Sequence, residues 1–224
     1  MARTHVALAH SSSVATRHEP MRDWLDEFLR QSGFARQLPY YAAVLARLDP
    51  IDDPGVEVMG VSAFGRRFYL HVNIDYFTRP LENARFLSGV LQHEVHHIVL
   101  GHLSLPKFQQ PAHPDLMELA MEMSANEHII APLPGKPIRW NDYAAFGICG
   151  GQSTLERYEL LVQQRLNGEE VPGGQFVDGQ ISALAGRSRS QLDPTLADRV
   201  EQMVEEVVSS ATADSNSRLA GRTA

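Results

Sequence analysis

The feature that most constrains this chain is the run Gly89-Val90-Leu91-Gln92-His93-Glu94-Val95-His96-His97-Ile98-Val99-Leu100. It is an apolar stretch, expected to form a helix against the core. Such a helix carries imidazole and carboxylate groups into the interior only if they have partners, because burying them bare is costly. His93 and His97 stand four apart, so a helix sets both rings on one face, one turn apart. That spacing holds a single zinc ion at about 2.0–2.1 Å from each ring nitrogen. Glu94 is one step round from that row, where a carboxylate reaches a metal-bound water and acts as general base. The pattern is H-E-x-x-H, and a chain of this composition contains it by accident with a frequency of about 0.03.

A catalytic zinc takes three protein ligands and keeps one position open. A third histidine ten residues after His93 would fall at Leu103, with the accompanying glycine at Leu100, so the third-histidine pattern is absent. His102 is one residue short of that position and is expected to point away from the His93/His97 face. It remains a candidate for supporting a ligand or the transition state, or for capping the carbonyls that end the helix. His113 lies in an expected loop with nothing to fix it. The segment from Asp115 to Ile130 offers a better source: Glu118, Glu122 and Asn126 recur at four-residue intervals as one polar stripe on an apolar helix. Glu122 is the favoured third ligand, with Asn126 supporting it from one turn ahead. Glu118 is the alternative, with Glu122 then in support.

The 224 residues suit one domain with appendages. A net charge of −7 and a pI near 5.8 argue against a nucleic-acid partner, whose binding surface would be basic. One cysteine, Cys149, permits no internal disulfide, which suits a reducing compartment, and it is read as structural. No h-region is found in residues 1–20, and no apolar run approaches about 18 residues, so neither a secretory signal nor a membrane span is expected. The expected location is the cytoplasm.

Taken in order, residues 1–20 read as a flexible leader, followed by helices over Met21–Gln31 and Pro39–Leu48. Asp52-Asp53-Pro54-Gly55 is a turn signal. Alternation over residues 56–61 and 67–73 then predicts a β-hairpin. Thr78 is the expected N-cap, and Pro80 the first turn, of a motif helix running from about Leu81 to Leu103. Residues 107–114 should be an exposed loop. Ser153 or Thr154 caps a helix ending near Leu166. Residues 171–208 are expected to be an extended loop and a final helix, and residues 209–224 a disordered tail. The fold class is therefore α+β, mainly helical, with a small antiparallel hairpin or sheet before the motif helix.

The segment LQHEVHHIVLGH resembles the motif helix of the metallopeptidase domain found beside von Willebrand A-like domains in bacteria. LAMEMSANEHI is similar to that family's second helix, RFYLHVN to its strand before the motif, and FGICGGQSTLERYELL to its flank after it. The resemblance covers roughly residues 55–165 and implies a zincin-like fold over residues 21–170, with the third ligand at Glu122. The family's usual Asp is Glu122 here, and its usual apolar residue inside the motif is His96.

These readings give a zinc-dependent peptidase acting on a peptide or protein substrate, with His93, His97 and Glu122 as ligands and Glu94 as base. The flexible ends and long glycine-rich loop motivate an alternative. It is a zinc-binding regulatory or toxin-like protein that acts on one dedicated partner, or without proteolysis. His96 is expected at the helix flank as a supporting rather than ligating residue. Tyr143 and His128 are candidates to stabilise an oxyanion, though no spacing places them.

Overall fold

The computed structural model describes residues 10–64, 67–79, 81–108, 111–173, 202 and 204–213, with the side chains of 10–19, 64 and 106 outside that description. Helix α1 (His10–Gln31) is followed by the short helices α2 (Phe34–Gln37) and α3 (Pro39–Leu45). Strands β1 (Asp49–Asp52), β2 (Met59–Phe64) and β3 (Arg67–Val72) come next. Helix α4 (Ile74–Thr78) leads into a 3-10 turn over Leu81–Phe86 and then the motif helix α5 (Leu87–Val99). Helices α6 (Pro114–Asn126) and α7 (Thr154–Leu166) complete the site-bearing part. The class is α+β, as the hydrophobic patterning predicts.

Alternation in β3 buries Phe68, Leu70 and Val72 on one face and turns Tyr69 and His71 to the other. β2 pairs antiparallel with it, Val61 opposite Leu70, which is the expected hairpin. The sheet has a third strand that patterning did not reveal: β1 pairs parallel with β3 in the order β1-β3-β2. β1 reads Asp49-Pro50-Ile51-Asp52, too short to alternate, and its proline is tolerated because the strand is at an edge. β3 is thus flanked on both sides. It is therefore the central strand and has no free edge along its paired residues for an extended peptide to join.

Several boundaries also move. The first helix starts at His10 and runs through Pro20, so the stretch expected to be a leader is helical from His10 onward. Apolar periodicity begins only at Met21, which is why the polar first turns escaped notice. Thr78 is not the N-cap of the motif helix; it closes α4, its hydroxyl donating to the Ile74 carbonyl at 2.9 Å. α4 is capped instead by Asn73, whose side chain accepts the Tyr76 N–H at 3.3 Å. The motif helix ends at Val99, not near Leu103, because Gly101 takes a left-handed conformation (φ 71°) and reverses the chain. Phe108, in the segment expected to be exposed, is buried. Residues 204–213 are helical, with Val204 and Ala211 in the main core, so the tail expected from 209 is ordered helix to 213. Most of the glycine-rich loop and the remainder of the tail lie outside the described residues.

The two larger apolar clusters lie on the two helices that carry the site residues, α5 and α6. The larger joins α1, α3, the buried sheet face and Val90, Leu91, Val95 and Ile98 of α5. The second joins Leu116, Leu119, Ala120 and Met123 of α6 to Leu161 of α7 and to Ile138, Tyr143 and Ile148 between them. Gly89 sets the approach of the connecting segment: a Cβ there would lie 2.2 Å from the Pro132 carbonyl oxygen. Among the described residues, no helix is long and apolar enough to cross a membrane.

Candidate metal centre

α5 buries five polar side chains, Gln92, His93, Glu94, His96 and His97, and each has to be satisfied inside the protein. Gln92 donates to the Ser88 carbonyl at 3.1 Å. His96 donates from Nδ1 to the Ala125 carbonyl at 2.6 Å and accepts the Tyr41 hydroxyl at Nε2, 2.8 Å away. Both its nitrogens are used, so His96 fastens α5 to α6 and α3 and is no ligand. His93 Nδ1 lies 2.8 Å from Asn126 Oδ1. The Asn126 amide is oriented by its own Nδ2, which donates to the Ile138 carbonyl at 3.1 Å, so Oδ1 accepts and His93 Nδ1 carries a proton. Only Glu94 is left: neither carboxylate oxygen has a hydrogen-bond partner.

His93 Nε2, His97 Nε2 and Glu122 Oε1 converge. The two ring nitrogens are 3.1 Å apart, and Glu122 Oε1 lies 3.4 Å from the first and 3.6 Å from the second. All three residues are buried, and their ligand atoms are grouped closely enough to hold a metal ion. Acceptor atoms facing one another in a dry interior repel, and a proton or a metal ion between them relieves the repulsion. A proton serves one pair of these atoms; a metal ion serves all three. With Glu94 beside them and without a donor, the residues present fit a metal and a water molecule.

The electrostatics follow from burial and from these contacts. Burial lowers the His97 pKa to about 4, although hydrogen bonding to Glu122 opposes it. Burial also lowers His96, with the Ala125 carbonyl opposing. Burial would push Glu122 up, but the charge and hydrogen bonding of His93 and His97 hold it well below the usual carboxylate range. Glu94 is raised well above that range, first by burial and then by the Glu122 charge, with the Val61 backbone N–H of β2 pulling weakly the other way. That N–H is near enough to act electrostatically but makes no hydrogen bond of normal geometry.

The structure brings together His93, His97, Glu94 and Glu122 of the residues singled out from sequence. Glu118, a turn earlier on α6 and only half-buried, is not in the cluster. Asn126 does join the centre, but it holds His93 rather than Glu122. His102 is also corrected. It does not point away, because the reversal at Gly101 returns its ring to His97, the two Nδ1 atoms 3.0 Å apart. His113 is the N-cap residue of α6 and stands outside the cluster. Tyr143 donates to the Pro172 carbonyl at 3.1 Å and His128 is exposed; neither is brought to Glu94. Cys149 is free and exposed, not a core residue.

Sequence reasoning missed the residues behind His102. Its Nε2 lies 3.0 Å from Thr154 Oγ1, which donates to Ser124 Oγ at 2.9 Å. Buried Arg157 donates to the same Ser124 oxygen at 3.0 Å and pairs with Glu127. No spacing marks them, since they come from two helices 30 residues apart in the chain. A separate constellation also went unseen: His71 lies between Asp53 Oδ2 (2.9 Å from Nδ1) and Ser62 Oγ (2.8 Å from Nε2) on the outer face of the sheet. Comparison of the chain with family models, curated proteins and solved structures gives no match.

Proposed function

We propose that this protein is a zinc-dependent peptidase of zincin-like architecture. The observation that carries the reading is the convergence of His93 Nε2, His97 Nε2 and Glu122 Oε1 beside the partnerless buried carboxylate of Glu94. Two imidazoles and one carboxylate are the donor set of a catalytic zinc with an open position. Zinc held there would supply Lewis acidity, lowering the pKa of water toward about 7 and polarising a scissile carbonyl. Glu94 takes the proton of the attacking water on a carboxylate oxygen and delivers it to the leaving amine. Burial and the Glu122 charge raise the Glu94 pKa, the direction that makes a carboxylate a stronger base. Asn126 keeps the His93 ring oriented.

A second reading has its own support. His93, Glu94 and His97 are each fully buried, so a polypeptide reaches them only after an opening motion. A zinc-binding regulator acting on one dedicated partner needs no such motion. One experiment separates the two. Zinc-loaded protein is incubated with a mixed peptide library, beside the Glu94→Gln variant. A peptidase cleaves, and the variant loses about 10²–10⁴-fold in turnover while retaining one equivalent of zinc. Zinc binding with no cleavage in either protein decides for the regulator, and no zinc in the wild type removes both.

A further inference from the structure

A ligating histidine presents a lone pair at the metal, so its other nitrogen carries the proton and needs an acceptor. For His97, with Nε2 in the cluster, that other nitrogen is Nδ1, and it faces a second imidazole, His102 Nδ1, at 3.0 Å. His102 can accept there only if its own proton is on Nε2. The atoms beyond Nε2 decide whether that tautomer is favoured.

They leave little freedom. Arg157 Nη1 can only donate, and it donates to Ser124 Oγ at 3.0 Å. The Ser124 hydroxyl proton is used on the Ala120 carbonyl at 2.9 Å. Ser124 Oγ therefore accepts from Thr154, 2.9 Å away, and Thr154 Oγ1 accepts from His102 Nε2 at 3.0 Å. From His97 to the Ala120 carbonyl every hydrogen is assigned and every donation runs away from His97, with Arg157 donating into the far end of the relay at Ser124. Thr154 is itself fixed, because it opens α7 behind a capping box in which Ser153 and Glu156 satisfy each other.

We propose that Thr154 is a positioning residue for the metal centre, holding His97 through His102 in the tautomer that turns Nε2 toward His93 and Glu122. The ligand on α5 is thereby oriented from α7, a helix that contributes no ligand. This rests on the metal-centre reading above.

The test uses the full chain and Zn²⁺ titrated against a chromophoric chelator. Thr154→Val keeps the shape and removes the hydroxyl. It is expected to weaken zinc affinity about 10–100-fold, and Thr154→Ser is expected to restore it. Melting of the zinc-free variants is followed in parallel. Imidazole nitrogen NMR of zinc-loaded wild type provides a readout that needs no variant: His97 should carry its proton on Nδ1 and His102 on Nε2. A His102 proton on Nδ1 overturns the proposal. Wild-type affinity in Thr154→Val, or equal losses in the valine and serine variants, overturns it too. Those results leave the metal reading intact if His93→Ala abolishes binding. A wild type that binds no zinc removes the metal reading itself.

Discussion

His71 and His97 each stand between two polar neighbours. On the sheet, His71 donates from Nδ1 to Asp53 and accepts the Ser62 hydroxyl at Nε2, and both bonds are of ordinary length. The order Asp-His-Ser is that of a nucleophilic triad. Yet the chain closes on itself, and the backbone N–H groups of β2 and β3 lie in the plane of the sheet. The constellation is a clasp between the turn after β1 and the hairpin. In the interior, by contrast, His97 Nε2 faces a ring nitrogen and a carboxylate. The difference lies in what remains after local bonds are counted. A histidine whose partners complete its valence is structural, and one whose ring nitrogen converges with other ligand atoms on a single point could hold a metal ion.

The sharpest way to break this contrast is to exchange the two histidines in turn. His93→Ala is expected to abolish stoichiometric zinc binding in equilibrium dialysis, whereas His71→Ala is expected to leave it unchanged and lower stability by about 1 kcal/mol. Zinc loss in His71→Ala would erase the distinction. Next in size, Asn126→Ala removes the acceptor of His93 Nδ1 and should weaken zinc affinity about 10–100-fold by chelator competition. Gly89→Ala tests whether the centre depends on the approach of the Pro132 segment. The added methyl meets a backbone carbonyl, so denaturant unfolding should show a loss of about 1–3 kcal/mol. A neutral result would mean that this contact gives way easily.

The smallest effect concerns pH in the zinc-free protein. His97 has a folded pKa of about 4, and His96 and His102 are lowered as well, all chiefly by burial. The unfolded chain protonates its histidines near 6.5, so it binds more protons than the native state below that pH. Stability contributed by neutral burial is therefore complete above about 6.5 and is lost as pH falls toward 4. Glu94, raised by burial, works in the opposite direction by taking up a proton on folding. Three histidines against one carboxyl predict a net fall in melting temperature across that window, readable by calorimetry. A flat profile would mean the rings are less buried in solution than their environment implies.

How far the sequence carries this picture can be judged residue by residue. H-E-x-x-H and the Glu122 stripe were legible because both depend on helical phase within one element. The hairpin was legible from alternation. β1 was not, because four residues with a proline carry no period, and only pairing with β3 makes them a strand. His102 was misplaced because helical phase was extended past its true end: one glycine at φ 71° changes which residues are neighbours. Thr154, Ser124 and Arg157 were invisible for a different reason. Their role depends on hydrogen-bond direction across three helices, which no spacing encodes.

The position of the ligands on α5 and α6 has a consequence for the unfolded chain as well. With a single cysteine, the protein has no internal disulfide. An ion bridging His97 and Glu122 would close a loop of about 25 residues, and a cross-link of that span is worth roughly 3 kcal/mol in chain entropy. Bound metal would then act as the chain's one staple, slowing its unfolding and its exposure to proteases.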